Sequence, residues 1–102
     1  MNSIDKEKHE ELVRILQDLV ATIQKMRVDV TDYLLYQNEE EAKDWLDFLC
    51  AHTDKEELKS LENEISDRFF FRFDVKICEG ELDNKRAFLM KDYIIKSNEY
   101  LK

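Results

Sequence analysis

The stretch LVRILQDLVATIQKMRVDVTDY, residues Leu12 to Tyr33, decides the fold class. Within it Leu12, Leu16, Leu19, Ile23, Met26, Val30 and Tyr33 recur at alternating steps of four and three, and every position of that seam is apolar. Side chains so spaced lie along one side of an α-helix, each over the turn before it, and the seam must be buried against other helices. Val13, Val20 and Leu34 widen the stripe on one side and Ile15 on the other, which suits a bundle better than a two-stranded coiled coil. Val28, Leu35 and Tyr36 fall off the main stripe. Upstream, Ser3 is a fitting N-cap, with Asp5 and Glu7 in the first turn where the helix dipole favours negative charge. The spacing predicts a first helix from Ile4 to about Tyr36, roughly 48 Å long at 1.5 Å per residue.

Downstream, Asn38-Glu39-Glu40-Glu41 has the form of a capping box that opens a second helix. Its apolar face is Ala42, Trp45, Leu46 and Leu49; Glu40, Asp44 and Asp47 share the opposite face, and Phe48 and Cys50 fall between. Thr53-Asp54-Lys55-Glu56 repeats the capping pattern and separates the second helix from a third, whose face is Leu58, Leu61, Ile65 and Phe69 while Glu56, Glu64 and Asp67 point away. From Phe69 to Ile77 two readings stay open. Strict alternation of apolar and charged residues from Phe71 favours a strand, which would have to pair with another copy or another protein. Ile65, Phe69 and Phe73 equally continue the third helix, and the absence of a partner strand elsewhere in the chain favours that choice. Gly80 marks a turn or cap needing positive φ. Asp83 or Asn84 then caps a last helix, with Phe88, Leu89, Met90, Tyr93, Ile94 and Leu101 as its buried stripe.

One glycine and no proline in 102 residues leave little to interrupt helices. The expectation is an all-α, compact, bundle-like four-helix domain spanning residues 1–102 and built on one long N-terminal amphipathic helix. No apolar run approaches the roughly 20 residues of a membrane span, and no leader pattern opens the chain, so a cytoplasmic protein with no membrane partner is expected. Cys50 and Cys78 read as free thiols, Cys50 half-buried on its helix.

The net charge of −8 is unevenly spread. Between Asn38 and Asp67 stand eleven carboxylates against three lysines, so the middle third carries the whole of it. A field of that sign repels nucleic acid and steers a basic partner. The opposing hint is a C-terminal third in which Arg68, Arg72, Lys76, Lys85, Arg86, Lys91 and Lys96 alternate with aromatics, a footprint also expected of the wet face of an amphipathic helix. Nucleic acid is therefore an unfavoured partner.

Candidate chemistry is sparse. Cys50, His52 and Asp54 cluster in sequence, but a structural zinc site needs four ligands in spacings such as C-x-x-C, and no strained turn presents a thiol nucleophile. His52 reads instead as a residue at a helix C-terminus, and His9 as a solvent-facing residue on the first turn. Asp18, Asp29 and Asp32 lack the Glu-x-x-His partners of a di-iron bundle, and no nucleotide-binding or metalloprotease motif occurs. No catalytic residue, metal or cofactor is expected. What remains is a non-enzymatic protein-binding module. By size, charge and fold class alone it is analogous to small acidic inhibitors of immunity or antitoxin type that occlude a basic nuclease or toxin. Glu40, Asp44, Asp47, Glu56, Glu64 and Asp67 are the candidate contact residues, with Tyr36, Phe70 and Phe71 as aromatic anchors. The alternative is a structural or adaptor subunit that forms a homodimer through an uncovered part of the long first helix.

Overall fold

A computed structural model describes residues 2–29, 33–68 and 80–102. Among the described residues four helices follow one another: α1 (Lys6–Asp29), α2 (Tyr33–Ala51), α3 (Lys55–Arg68) and α4 (Glu81–Tyr100). The architecture is all-α, as the periodicity requires, and α1 is the longest element at 24 residues. Its seam is buried where expected: Leu12, Leu16, Leu19 and Ile23 are fully covered and Met26 nearly so. α2 and α4 pack along it and α3 closes the bundle, so the common core gathers Leu35, Trp45 and Leu49 from α2, Leu58 and Ile65 from α3, and Met90 and Tyr93 from α4.

The first helix is shorter than the spacing predicts. α1 ends at Asp29, and Tyr33 belongs to α2, where it is 75% exposed rather than part of a seam. The reason lies in α2, whose buried stripe runs Leu35, Asn38, Ala42, Trp45 and Leu49, with Glu39 beside it. Two polar residues in that stripe hide its period, and the apolar residues on either side of 30–32 extend the α1 pattern by chance of phase. Asn38 is accordingly no cap. It is fully buried inside α2, donating from Nδ2 to the Leu34 carbonyl at 3.0 Å. Leu35, off the stripe of the longer helix, is core. α2 and α4 pack along the seam from Leu12 to Met26, while Val28 beyond it is exposed.

The helix starts shift by similar small steps. α1 is capped by Asp5, whose Oδ1 accepts from the Glu7 and Lys8 amides at 2.9 and 3.3 Å, and α3 by Asp54, which accepts from the Glu56 and Glu57 amides at 2.8 and 3.4 Å. The same tripeptide, Asp-Lys-Glu, opens both helices. Ser3 and Thr53 are released from capping to join the two starts through an antiparallel bridge at Ser3 and Asp54, with Ile4 donating to the Thr53 carbonyl at 2.9 Å and Lys55 to the Asn2 carbonyl at 2.6 Å. Gly80 takes φ +126° and itself precedes α4, so Asp83 and Asn84 lie inside that helix. Phe88 leaves the expected stripe and is 64% exposed.

His9 is half-buried rather than solvent-facing. Its Nε2 donates to the Leu49 carbonyl at 2.7 Å and lies 3.1 Å from the His52 carbonyl, while His52 Nδ1 donates to the Phe48 carbonyl at 2.8 Å. Both histidines thus satisfy carbonyls that the end of α2 leaves without an intrahelical partner. His52 also stacks on Phe48, with ring centroids 4.0 Å apart. Cys50 is a free thiol but exposed, not half-buried. The segment from Phe69 to Ile77, open to helix or strand in the sequence, lies outside the described residues, as do Phe70, Phe71 and Cys78.

Candidate partner-binding surface

Helical spacing divides the charges of α2 between two environments. Glu39, buried to 2% exposure, receives both carboxylate bonds from Arg27 Nη1 at 2.6 and 2.9 Å and lies 3.3 Å from Lys43 Nζ. Burial pushes the Glu39 carboxyl up, but the bonds from Arg27 and Lys43 outweigh it and hold the group below the usual carboxylate range. Arg86, also expected on a wet face, has no exposed surface at all. Its Nε lies 3.1 Å from Asp83 and its Nη1 donates to Asn38 at 3.1 Å, so a buried polar layer ties α4 to α2.

One residue on from Glu39, the opposite face of α2 carries Tyr36, Glu40, Asp44 and Asp47 at spacings of four, four and three. All four are exposed, Tyr36 to 46%, with the Arg27 guanidinium 5.0 Å from its ring centre. On α3, Glu56, Glu64 and Asp67 are exposed as well. Glu56 pairs with Lys59 at 3.5 Å and Glu64 with Arg68 at 3.5 Å, whereas Glu40, Asp44, Asp47 and Asp67 make no ion pair among the described residues.

Between α2 and α3 runs a groove of about 310 Å³. Trp45, Phe48 and Leu61 give it an apolar lining, and Glu41, Asp44, Ser60, Glu64 and Arg68 its polar one. Of the carboxylates singled out in the sequence, Asp44 and Glu64 meet in this groove; Glu40 and Asp47 lie on the outer face of α2, and Glu56 and Asp67 on that of α3. The sequence alone did not point to Glu41, Phe48, Ser60 or Arg68 as groove residues. Phe48, set between the apolar and acidic faces of its helix, was the available signal: an aromatic at that boundary lies where the two helices part.

The basic third disperses. Arg86 is buried, Arg68 pairs with Glu41 at 2.8 Å, and Lys96 pairs with Glu11 at 2.8 Å and Asp92 at 3.4 Å. Lys85 and Lys91 remain exposed, and Arg72 and Lys76 lie outside the described residues. The cysteine-histidine-aspartate cluster also comes apart in function, since His52 and Asp54 serve helix ends. No helix among the described residues is long and apolar enough to cross a membrane. Comparison with protein-family models, curated proteins and solved structures finds no match to this chain.

Proposed function

We propose that this protein is a non-enzymatic binding module that acts in the cytoplasm, using the acidic outer faces of α2 and α3 to seize a basic protein and occlude it as a small inhibitor of immunity or antitoxin type does. The observation that supports this reading is the contrast in pairing. Glu39, the carboxylate that faces inward on α2, is matched by Arg27 and Lys43, while Glu40, Asp44 and Asp47 on its outer face, and Asp67 on α3, stand exposed without an ion pair among the described residues. Exposed like charges held on rigid helices repel one another, a cost that a basic partner relieves. They also raise the rate of encounter with such a partner, an effect that fades over a Debye length of about 8 Å at physiological salt.

The test is capture on the immobilised protein at low salt followed by elution with a salt step. A basic protein retained stoichiometrically and released by salt is expected. Retention of nothing, or only of proteins that salt does not release, contradicts the proposal.

A further inference from the structure

We propose that the groove between α2 and α3 is a receptor for an arginine side chain of the partner, so that one inserted guanidinium fixes the register of the complex. The inference rests on the reading of the protein as a binder of basic proteins. At about 310 Å³ the groove is at the small end of ligand pockets, which run from roughly 300 to 1,000 Å³, and suits one long side chain. Its floor accepts an alkyl stem, because Trp45 and Leu61 are buried beneath it and Phe48 is half-buried at its side.

The polar residues choose the head group. Among the described residues, Glu41, Asp44 and Glu64 bring three negative charges to the groove and Arg68 one positive charge, so a cation is favoured there. Arg68 shows what these walls accept: its Nη1 lies 2.8 Å from Glu41 on α2 and its Nη2 3.5 Å from Glu64 on α3, one planar fork spanning both helices. Asp44, exposed on the same wall as Glu41, makes no ion pair among the described residues. A second guanidinium that enters over the Phe48 side meets Asp44 and shares Glu64 with Arg68. Arginine fits better than lysine because its flat, weakly hydrated head tolerates an aromatic wall and engages two carboxylates at once. Glu40 and Asp47 stand off the groove and contribute steering rather than contact.

The experiment titrates the 15N-labelled protein with the capped tripeptide Leu-Arg-Leu at low salt, beside its lysine and citrulline counterparts. Shifts confined to the Trp45 indole, Phe48, Ser60 and Leu61 are expected with the arginine peptide, weaker ones with lysine and none with the neutral citrulline. Ser60 is exposed, so Ser60→Trp blocks the groove without changing charge or fold, the latter checked by an unchanged Tm. It should weaken the arginine peptide by about tenfold, whereas Asp47→Asn changes it by less than about twofold. Equal binding to the Ser60→Trp variant, lysine binding as tightly as arginine, or shifts spread along the outer face of α2 overturn the proposal. The two readings fail separately. A basic protein captured equally by wild type and Ser60→Trp removes the groove and keeps the binding module, while groove-confined arginine binding without any captured protein does the reverse.

Discussion

Glu39 and Glu40 are neighbours in the chain and opposites in the fold. Glu39 is buried under Arg27 and Lys43, and beside it the fully buried Arg86 is shared between Asn38 and Asp83. Glu40 opens the outer stripe that continues through Asp44 and Asp47, where water is the chief neighbour. About 100° of helix rotation separates the two environments. The difference teaches how one acidic helix serves two ends. The inward charge of α2 is desolvated, and its match with Arg27 ties the helix to α1. Outward charges keep their hydration and add little to stability, which leaves them available to a partner.

Removing a matched inward charge should therefore do the most damage. Arg86→Ala strands the Asp83 carboxylate in the core and is expected to cost about 3–5 kcal/mol in denaturant unfolding, the usual penalty for breaking a buried pair. A loss below about 1 kcal/mol would mean that the polar layer does not organise α2 against α4. Capping comes next. Asp54→Ala removes the acceptor for the first α3 amides and should cost about 1 kcal/mol, measured the same way, while Thr53→Ala should change little because Thr53 caps nothing. Equal losses for the two would restore the capping role to Thr53.

A subtler contrast lies between two buried carboxylates. Burial raises the Glu62 carboxyl above its ordinary range with only a weak opposing field from Lys59, whereas Glu39 is held low by its donors. A raised folded-state pKa means the folded chain binds the proton more tightly. Glu62 therefore subtracts stability as pH rises from the ordinary glutamate value of about 4.3 through its raised value. Glu39 acts with the opposite sign, giving stability at neutral pH that is lost as pH falls through its lowered value. Glu62→Gln should thus raise Tm at neutral pH, with the gain vanishing in acid below the ordinary glutamate range; a gain independent of pH would show that its charge is not the cause.

These expectations also mark what the sequence could disclose. The α1 seam was legible because each of its positions, Leu12, Leu16, Leu19, Ile23 and Met26, is apolar, and so were the outer acidic face of α2 and the fold class. The boundary between α1 and α2 was not, because Asn38 and Glu39 occupy core positions where the pattern calls for apolar residues. Their pairing with Arg86 and Arg27 depends on contacts across helices that no local spacing encodes. The buried Arg86 looked like one more basic surface residue for the same reason. Of the candidate surface, exposure of Glu40, Asp44, Asp47, Glu56, Glu64 and Asp67 could be read from helical phase. The convergence of Asp44 and Glu64 on one groove could not, since it depends on how α2 and α3 cross.

The most direct test of an outward acidic face that recruits a basic protein is kinetic. With the captured partner in hand, association rates should be measured over a range of salt for the wild type and for Glu40→Lys/Asp44→Lys/Asp47→Lys, a variant expected to keep its Tm because all three side chains are exposed. Electrostatic recruitment requires a wild-type rate that falls steeply with salt, and a variant that associates at least about tenfold more slowly at low salt with a much shallower dependence. Equal rates and equal salt slopes for the two proteins would contradict it.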